Sequence, residues 1–242
     1  MRVIAIIPAR YASTRFPGKP LALVGNVPMI ERVYRAVMKS TAAQTIVATD
    51  DERIVQCVHG FGGMAVLTSP LHQSGTDRCG EVVNQLALAD EDIVINVQGD
   101  EPFISEKDID ILIELFNNKE VNIATLIKPF EDISDISNPN KVKVICSKSG
   151  KALYFSRFAV PYNHSGKPQA CYCKHIGIYG YRCKTLRQII QLSPSSLEVC
   201  EQLEQLRWLE NDFTIHTAIC HYESIGIDTP EDLERAKSKN FL

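Results

Sequence analysis

The sequence predicts an α/β domain built on a mostly parallel central sheet, on the strength of three observations. The runs Val3 to Ile7, Thr45 to Ala48 and Ile93 to Val97 are short, rich in β-branched residues and largely apolar, as strands covered on both faces are. Segments of helical period alternate with them, a pattern that joins parallel neighbours by right-handed crossovers. The loops after these runs carry cations, hydroxyls, glycine and carboxylate, and such loops form the ligand edge of a parallel sheet.

Bulk composition narrows the classes. A chain of 242 residues, 45% of them hydrophobic, can bury a full core, and one domain with an appended piece suits that length better than two. The net charge of −3 gives no support for non-specific nucleic-acid binding, so an anionic ligand must be met by local cations. Eight cysteines occur without a C-x-x-C pair, and Cys171 and Cys173 are expected on one face of a strand, so a structural zinc site is not expected. The opening apolar run is too short for a signal peptide and no stretch approaches membrane-spanning length. The expectation is a reducing cytoplasm with free thiols and no membrane contact.

In chain order, Pro8 is expected to end the first strand. The loop beyond it places Arg10, Arg15 and Lys19 within ten residues, with Ser13 and Thr14 as hydroxyl donors and Gly18 where backbone can approach a ligand closely. It reads as a phosphate-handling loop, although neither the Walker pattern nor G-x-G-x-x-G fits it. Val27 to Ser40 is expected to be helical with Pro28 in the first turn. Thr45 to Ala48 is the second strand. Asp51 caps a helix through about Val58, which Gly60, Gly62 and Gly63 stop, and Met64 to Leu67 is the third strand.

The loop Thr68 to Arg78 opens a helix through about Leu88. Its Ser74 and Thr76 are read either as helix caps or as part of an anion site at the helix N-terminus, and His72 as structural. Ile93 to Val97 runs into Gln98-Gly99-Asp100-Glu101-Pro102. A carboxylate just past a central strand is where nucleotide-using enzymes hold Mg²⁺, and Ser105 is the better cap for the next helix, so Asp100 is the first choice of metal ligand. Glu106 to Asn117 is expected as a helix, Asn122 to Ile127 as a strand and Glu131 to Asn140 as a turn or short helix.

From Lys141 the apolar residues alternate about a Ser149-Gly150 turn, as in an antiparallel hairpin. This is the expected start of the appended piece, which continues through a strand at Cys171 to Tyr181. Leu197 to Leu209 is expected as one helix with a solvated acidic face at Glu201 and Glu204, together with Gln205. Phe213 to Ile219 is a strand, and Thr229-Pro-Glu-Asp is a capping box opening the last helix, with Asp228 left to point elsewhere. Cations after the first strand, a hydroxyl-glycine loop after the third and Asp100 after the fourth converge on one sheet edge, a site for a nucleoside triphosphate with Mg²⁺.

Seven segments, in register over nearly the whole chain, add a specific resemblance. They are Pro8 to Leu21, His72-Gln-Ser-Gly-Thr-Asp-Arg78, Asn96-Val-Gln-Gly-Asp-Glu-Pro102, Leu153-Tyr-Phe-Ser-Arg157, His175-Ile-Gly-Ile-Tyr-Gly-Tyr-Arg182, Leu203-Glu-Gln-Leu-Arg207 and Ile227-Asp-Thr-Pro-Glu-Asp-Leu233. Together they resemble the signatures of the 3-deoxy-manno-octulosonate (Kdo) cytidylyltransferases, the CMP-Kdo synthetases. The resemblance implies a single glycosyltransferase-A-like, Rossmann-like domain: a CTP-binding core over 1–128, an appended sugar-binding and dimer region over 141–195, and a return to the core over 196–242. It also implies a homodimer and the joining of CTP and Kdo into CMP-Kdo, with release of pyrophosphate, for lipopolysaccharide synthesis.

Carried onto this sequence, Ala9, Arg10, Ser13 and Lys19 would hold the nucleotide and its triphosphate, and Ser74, Thr76, Arg78 and Gln98 would line the CTP pocket. Asp100 and Asp228 would bind Mg²⁺, and with Lys19 would be the catalytic groups. Arg157, His175, Tyr179, Glu204 and Gln205 would hold the sugar acid. The chain departs from the family pattern at Asn26-Val-Pro-Met-Ile and at Ser196, neither at a residue given a chemical role.

Overall fold

The computed structural model describes residues 1–12, 16–164, 171–220, 226–227 and 229–238. The chain opens with β1 (Val3–Ala9), followed by a small hairpin of β2 (Leu23–Val24) and β3 (Val27–Pro28). Helices and strands then alternate: α1 (Met29–Val37), β4 (Gln44–Thr49), α2 (Glu52–Gly60), β5 (Ala65–Leu67), α3 (Gly75–Gln85), β6 (Ile93–Asn96), α4 (Glu106–Glu114) and β7 (Ile123–Pro129). A second hairpin pairs β8 (Lys143–Cys146) with β9 (Ala152–Ser156). After it come β10 (Cys173–Arg182), α5 (Cys183–Ile189), α6 (Ser196–Glu201), α7 (Gln205–Glu210), β11 (Ile215–Ile219) and α8 (Pro230–Ser238).

The main sheet has the order β11-β7-β10-β6-β1-β4-β5, with β8 paired to β10 and β9. Pairings β1 with β4 and β6, β4 with β5 and β7 with β11 are parallel, whereas β10 runs antiparallel to both β6 and β7. Alternate residues of each central strand face opposite cores, which is why the strand runs are largely apolar on both faces. Ile4 and Ile6 meet α3, α5 and α7 through Val82, Leu186, Leu206 and Trp208. Ala5 and Ile7 meet α1, α2 and α4 through Val33, Val37, Ile54, Ile109 and Leu112.

Several expectations are corrected. Pro8 does not end β1, which continues to Ala9 beside β4. The carbonyl of Ile6 accepts from Val97 N–H, so Pro8, two residues on, faces the same side after β6 has ended there, and its missing N–H breaks no ladder bond. The helix expected from Val27 begins at Met29, because Val27 and Pro28 are paired with Val24 and Leu23. The region expected as an appended piece divides: the β8–β9 hairpin is joined to the sheet through the first residues of β10, and the rest of β10 lies at the sheet's centre.

The helix expected over Leu197 to Leu209 is two helices, broken where Gln202 takes a left-handed conformation with φ of 53°. Such a break leaves carbonyls without helical partners. Arg157 satisfies two of them, donating Nε–H to Glu201 O at 2.8 Å and Nη2–H to Gln202 O at 3.2 Å.

The caps read from sequence stand. Asp51 accepts from Arg53 N–H, Ser105 from Lys107 N–H, and Thr229 and Asp232 exchange bonds across the first turn of α8. A third, small apolar cluster of Val24, Met29, Ile227 and Leu233, with Phe16 and Phe103 against it, docks the C-terminal segment on the β2–β3 hairpin. All eight cysteines are free thiols, and no described helix is long and apolar enough to cross a membrane.

Central packing gives a direct test. A Cβ on Gly180 of β10 would lie 2.5 Å from Cε2 of Phe116, which is itself buried, and 3.2 Å from Ile95. Gly180→Ala is expected to cost about 1–3 kcal/mol through overpacking, a fall in Tm of roughly 2–12 °C. An unchanged melting curve would show that the Phe116 ring has room to yield.

Candidate active site

At the carboxyl ends of β1 and β6 the structure opens a cavity of ≈ 320 Å³, lined by Pro8, Ala9, Arg10, Lys19, Pro20, His72, Gln73, Ser74, Gly75, Arg78, Gln98, Gly99 and Asp100. Two glycines let its walls come together. A Cβ on Gly99 would meet the carbonyl oxygen of Pro8 at 2.9 Å, and one on Gly75 would meet the Pro8 ring at 3.0 Å. The loop after β6 and the start of α3 thus close on β1 from two sides.

Lys19 is delivered by a single 3₁₀ turn, Lys19–Leu21, preceded by Gly18 at φ of 70°. Gly18 is also tied back by its N–H to Tyr11 O at 2.9 Å. The Lys19 ammonium meets Asp100 Oδ2 at 2.6 Å, so the basic loop and the first-choice metal ligand stand in one cavity. Asp100 is the single carboxylate among the described lining residues, against the cations of Arg10, Lys19 and Arg78.

Ser13 and Asp228 lie outside the described residues. The residue before Asp228 is informative all the same, since Ile227 donates its N–H to Asp100 O at 2.9 Å.

On the α3 side, Ser74 is the N-cap. Its Oγ accepts from Asp77 N–H and the Asp77 carboxylate accepts from Ser74 N–H, a complete capping box. Ser74 therefore fulfils both readings, as cap and as cavity wall. Thr76 does not line the cavity: it is buried, and its hydroxyl turns to Glu204. Gln98 lines the cavity and donates to Asn96 Oδ1 at 3.3 Å.

Arg78 is buried at the cavity wall, donating Nη2–H to Asp50 Oδ2 at 3.1 Å and Nη1–H to Thr68 Oγ1 at 2.5 Å. The sequence reading missed Asp50, although a carboxylate just past β4, in Thr49-Asp50-Asp51, is the same signal that singled out Asp100. It also missed Glu81, which accepts from Ser69 N–H at 2.8 Å and holds His72 at 2.5 Å between Nε2 and Oε2.

The residues matched to the sugar acid are not in this cavity's lining, although Glu204 touches it through Ser74. His175 sits between the rings of Phe155 and Tyr179, at centroid distances of 5.1 and 5.2 Å. The Thr125 hydroxyl spends its hydrogen on Ile178 O at 2.7 Å and so receives the His175 Nε2–H at 3.0 Å, leaving Nδ1 as an acceptor. Burial pulls the imidazole down to about 3, so it is neutral at ordinary pH.

Tyr179 stacks on Tyr181 and meets Trp208 edge-on at 5.1 Å. The hydroxyls of both tyrosines and Nε1 of Trp208 are buried without a hydrogen-bond partner among the described residues. Burial, with Glu204 nearby, pushes both phenols well above their ordinary range.

Glu204 and Gln205 do not form the solvated face that periodicity suggested. Gln205 is buried, and Glu204 accepts from Ser74 Oγ at 3.0 Å and from Thr76 Oγ1 at 2.8 Å, its carboxyl pushed up by burial. Glu201, assigned to the same face, accepts from Ser156 Oγ at 2.6 Å and Arg157 N–H at 2.9 Å. Arg157 donates three of its N–H groups to the carbonyls of Glu201, Gln202 and Pro139.

Comparison with known proteins bears on the same constellation. A family profile described as cytidylyltransferase matches residues 4–219. A 3-deoxy-manno-octulosonate cytidylyltransferase of Parabacteroides distasonis is 49% identical over 98% of this chain and 97% of its own length. One from Cytophaga hutchinsonii is 50% identical over 96% and 95%. Among solved structures, a CMP:2-keto-3-deoxy-manno-octonic acid synthetase complexed with CTP superposes with a TM-score of 0.93 at 39% identity, covering 99% of this chain and 98% of its own. A thymidylyltransferase from Bacillus anthracis, described as a putative glucose-1-phosphate enzyme, shares the fold at a TM-score of 0.67 and 19% identity. With matches of that extent, and with its strand-end loops converging on one cationic cavity, the chain belongs to the 3-deoxy-manno-octulosonate cytidylyltransferase family of nucleotidyltransferases.

Proposed function

We propose that this chain transfers CMP from CTP to 3-deoxy-manno-octulosonate, giving CMP-Kdo and pyrophosphate for lipopolysaccharide synthesis. The observation that carries the reading is the meeting of Arg10, Lys19, Arg78 and Asp100 in one cavity at the carboxyl edge of the sheet. In a chain of net charge −3, cations gathered around one carboxylate suit a polyanion that arrives with a metal.

In this reading Arg10, Ser13 and Lys19 hold the triphosphate, and Lys19 neutralises its charge. Ala9, Ser74, Arg78 and Gln98 form the nucleotide wall, and Thr76 acts behind it. The chemistry is an in-line displacement. The C2 hydroxyl oxygen of the sugar bonds to the α-phosphorus, the bond from that phosphorus to the β-phosphate's bridging oxygen breaks, and the hydroxyl proton leaves to solvent. Alignment and charge neutralisation account for catalysis, and no protein general base is assigned.

Magnesium fits the donor set. Among the described residues no cluster of three or more His, Cys, Asp or Glu forms a self-sufficient metal cage. Asp100 offers a hard oxygen in a polar cavity, and Mg²⁺ is commonly held by one or two carboxylates plus substrate phosphates. Asp100 and Asp228 are the proposed ligands, supported by the hydrogen bond of Ile227 to Asp100. Bound there, Mg²⁺ supplies charge neutralisation at the α-phosphate and acidity to the attacking hydroxyl. Lys19, held by Asp100 before substrate arrives, is released to the phosphate oxygens.

Arg157, His175, Tyr179, Glu204 and Gln205 remain the proposed sugar side. Arg157 keeps two of its five N–H donors for the sugar carboxylate after the three given to carbonyls. His175, being neutral, meets a sugar hydroxyl rather than the carboxylate. We place the reaction in the cytoplasm, which free thiols suit. A homodimer is proposed through the β8–β9 hairpin and the loop after it, where Leu153, Phe158 and Tyr162 are exposed. Light scattering should then return twice the chain mass, and a monomer mass would remove this contact.

The decisive assay is pyrophosphate release from CTP, Kdo and Mg²⁺. Asp100→Asn should reduce it by roughly a thousandfold or more while leaving the melting curve close to native, on the scale of losing a principal electrostatic group. Retained turnover would take Asp100 out of the metal site.

The pH dependence of stability tests His175. Its folded value of about 3 lies below the ordinary 6.5, so between those values the unfolded chain binds a proton that the native chain does not. Stability is therefore unaffected by this group above pH 6.5 and falls as pH drops towards 3, by up to about 1.4 kcal/mol per pH unit. The H175Q variant should lose less Tm than the native chain between pH 6.5 and 4.5. Equal acid sensitivity would show that the imidazole is not held neutral.

A further inference from the structure

Glu204 stands between the cavity wall and the aromatic cluster of Tyr179, Tyr181 and Trp208. Both of its carboxylate oxygens are engaged on the cavity side, Oε1 by Ser74 and Oε2 by Thr76. These hydroxyls belong to the N-cap and the second residue of α3, so one carboxylate bridges the entry turn of that helix. Ser74 Oγ has its acceptor role taken by Asp77 N–H and its hydrogen directed to Glu204, so it has one settled orientation. Gly75, between the two hydroxyls, is the residue that lies against Pro8 and 3.6 Å by its virtual Cβ from Gln98 Nε2, both of them cavity residues.

The other end of the link is rigid. Glu204 sits in the break between α6 and α7, flanked by buried Leu203 and Gln205, and α7 is anchored in the core by Leu206 and Trp208. A carboxylate at the first turn of α3 also complements the positive end of that helix.

We propose that Glu204 is a positioning residue for the nucleotide. By holding Ser74 and Thr76 it fixes the entry turn of α3 against the bound CTP, and it does so before any sugar is present. The inference rests on the reading of the cavity as the CTP site and adds to Glu204 a role distinct from contact with the sugar acid.

The test is CTP affinity by calorimetry, with Mg²⁺ and without sugar, for the native chain, E204M, E204Q, T76V and the E204M/T76V pair. E204M, which keeps length but has no oxygen acceptor, should weaken CTP binding about tenfold, and T76V about threefold, on the scale of hydrogen bonds to a charged group. The double variant should bind no more weakly than E204M alone, because both changes remove the same contact. E204Q, which retains an acceptor, should recover most of the affinity.

Native CTP affinity in E204M, with only KM for the sugar raised, would overturn the inference and leave Glu204 a sugar contact alone. Additive losses in the double variant would overturn it too. Should circular dichroism show E204M unfolded, T76V decides, native affinity there counting against the proposal. If the native chain itself fails to bind CTP, the functional reading falls and the inference with it.

Discussion

Strand β10 is hydrogen-bonded along both edges, to β6 and to β7, and runs against both. A strand so placed cannot shift by one residue without exchanging its two faces, since side chains alternate with period two. Its register therefore fixes which residues face the α3, α5 and α7 layer, and that face carries Tyr179 and Tyr181. Between Ile176 and Tyr179 the pairing with β7 slips, and the Thr125 hydroxyl donates to the Ile178 carbonyl that the slip releases. The same hydroxyl receives His175.

The cavity is organised by charge where the aromatic region is organised by packing. Arg78 and Asp50 share a buried wall, with Thr68 taking a further donor of the guanidinium. Lys19 and Asp100 neutralise one another across the opening. Each pair lowers the cost of holding its charge before substrate comes. The first is anchored by the strand-end loops of β4 and β5, whereas the second joins a short 3₁₀ turn to the loop after β6, and so is the easier to rearrange. Phosphate groups entering such a site meet donors already oriented, the condition under which electrostatic stabilisation is most effective.

Much of this was legible in the sequence where a single local rule applied. Buried strands showed as largely apolar runs rich in β-branched residues, and Asp51, Ser105 and Thr229 as caps in front of periodic segments. The place of Asp100 at the cavity was legible because a residue just past a central strand stands at the ligand edge of the sheet. The misreadings share a cause, namely that distant residues settled the outcome. Pro8 continues its strand because β6 stops short of it. Leu197 to Leu209 breaks because Arg157, far earlier in the chain, satisfies the carbonyls the break exposes. Glu204 looked like a solvated charge because periodicity cannot register two hydroxyls contributed by α3. Asp50, just past β4, carries the same sequence signal as Asp100, and its place is set by Arg78, which α3 brings to it.

The small cluster of Val24, Met29, Ile227 and Leu233 has a consequence for biosynthesis. It clasps the segment around Ile227 and Leu233 to a hairpin made some two hundred residues earlier, and Ile227 reaches from that clasp to Asp100. A chain emerging from the ribosome therefore completes the surroundings of Asp100 only when this late segment is free to fold back, so a product terminated before Ile227 would carry the cationic loop without its closing partner.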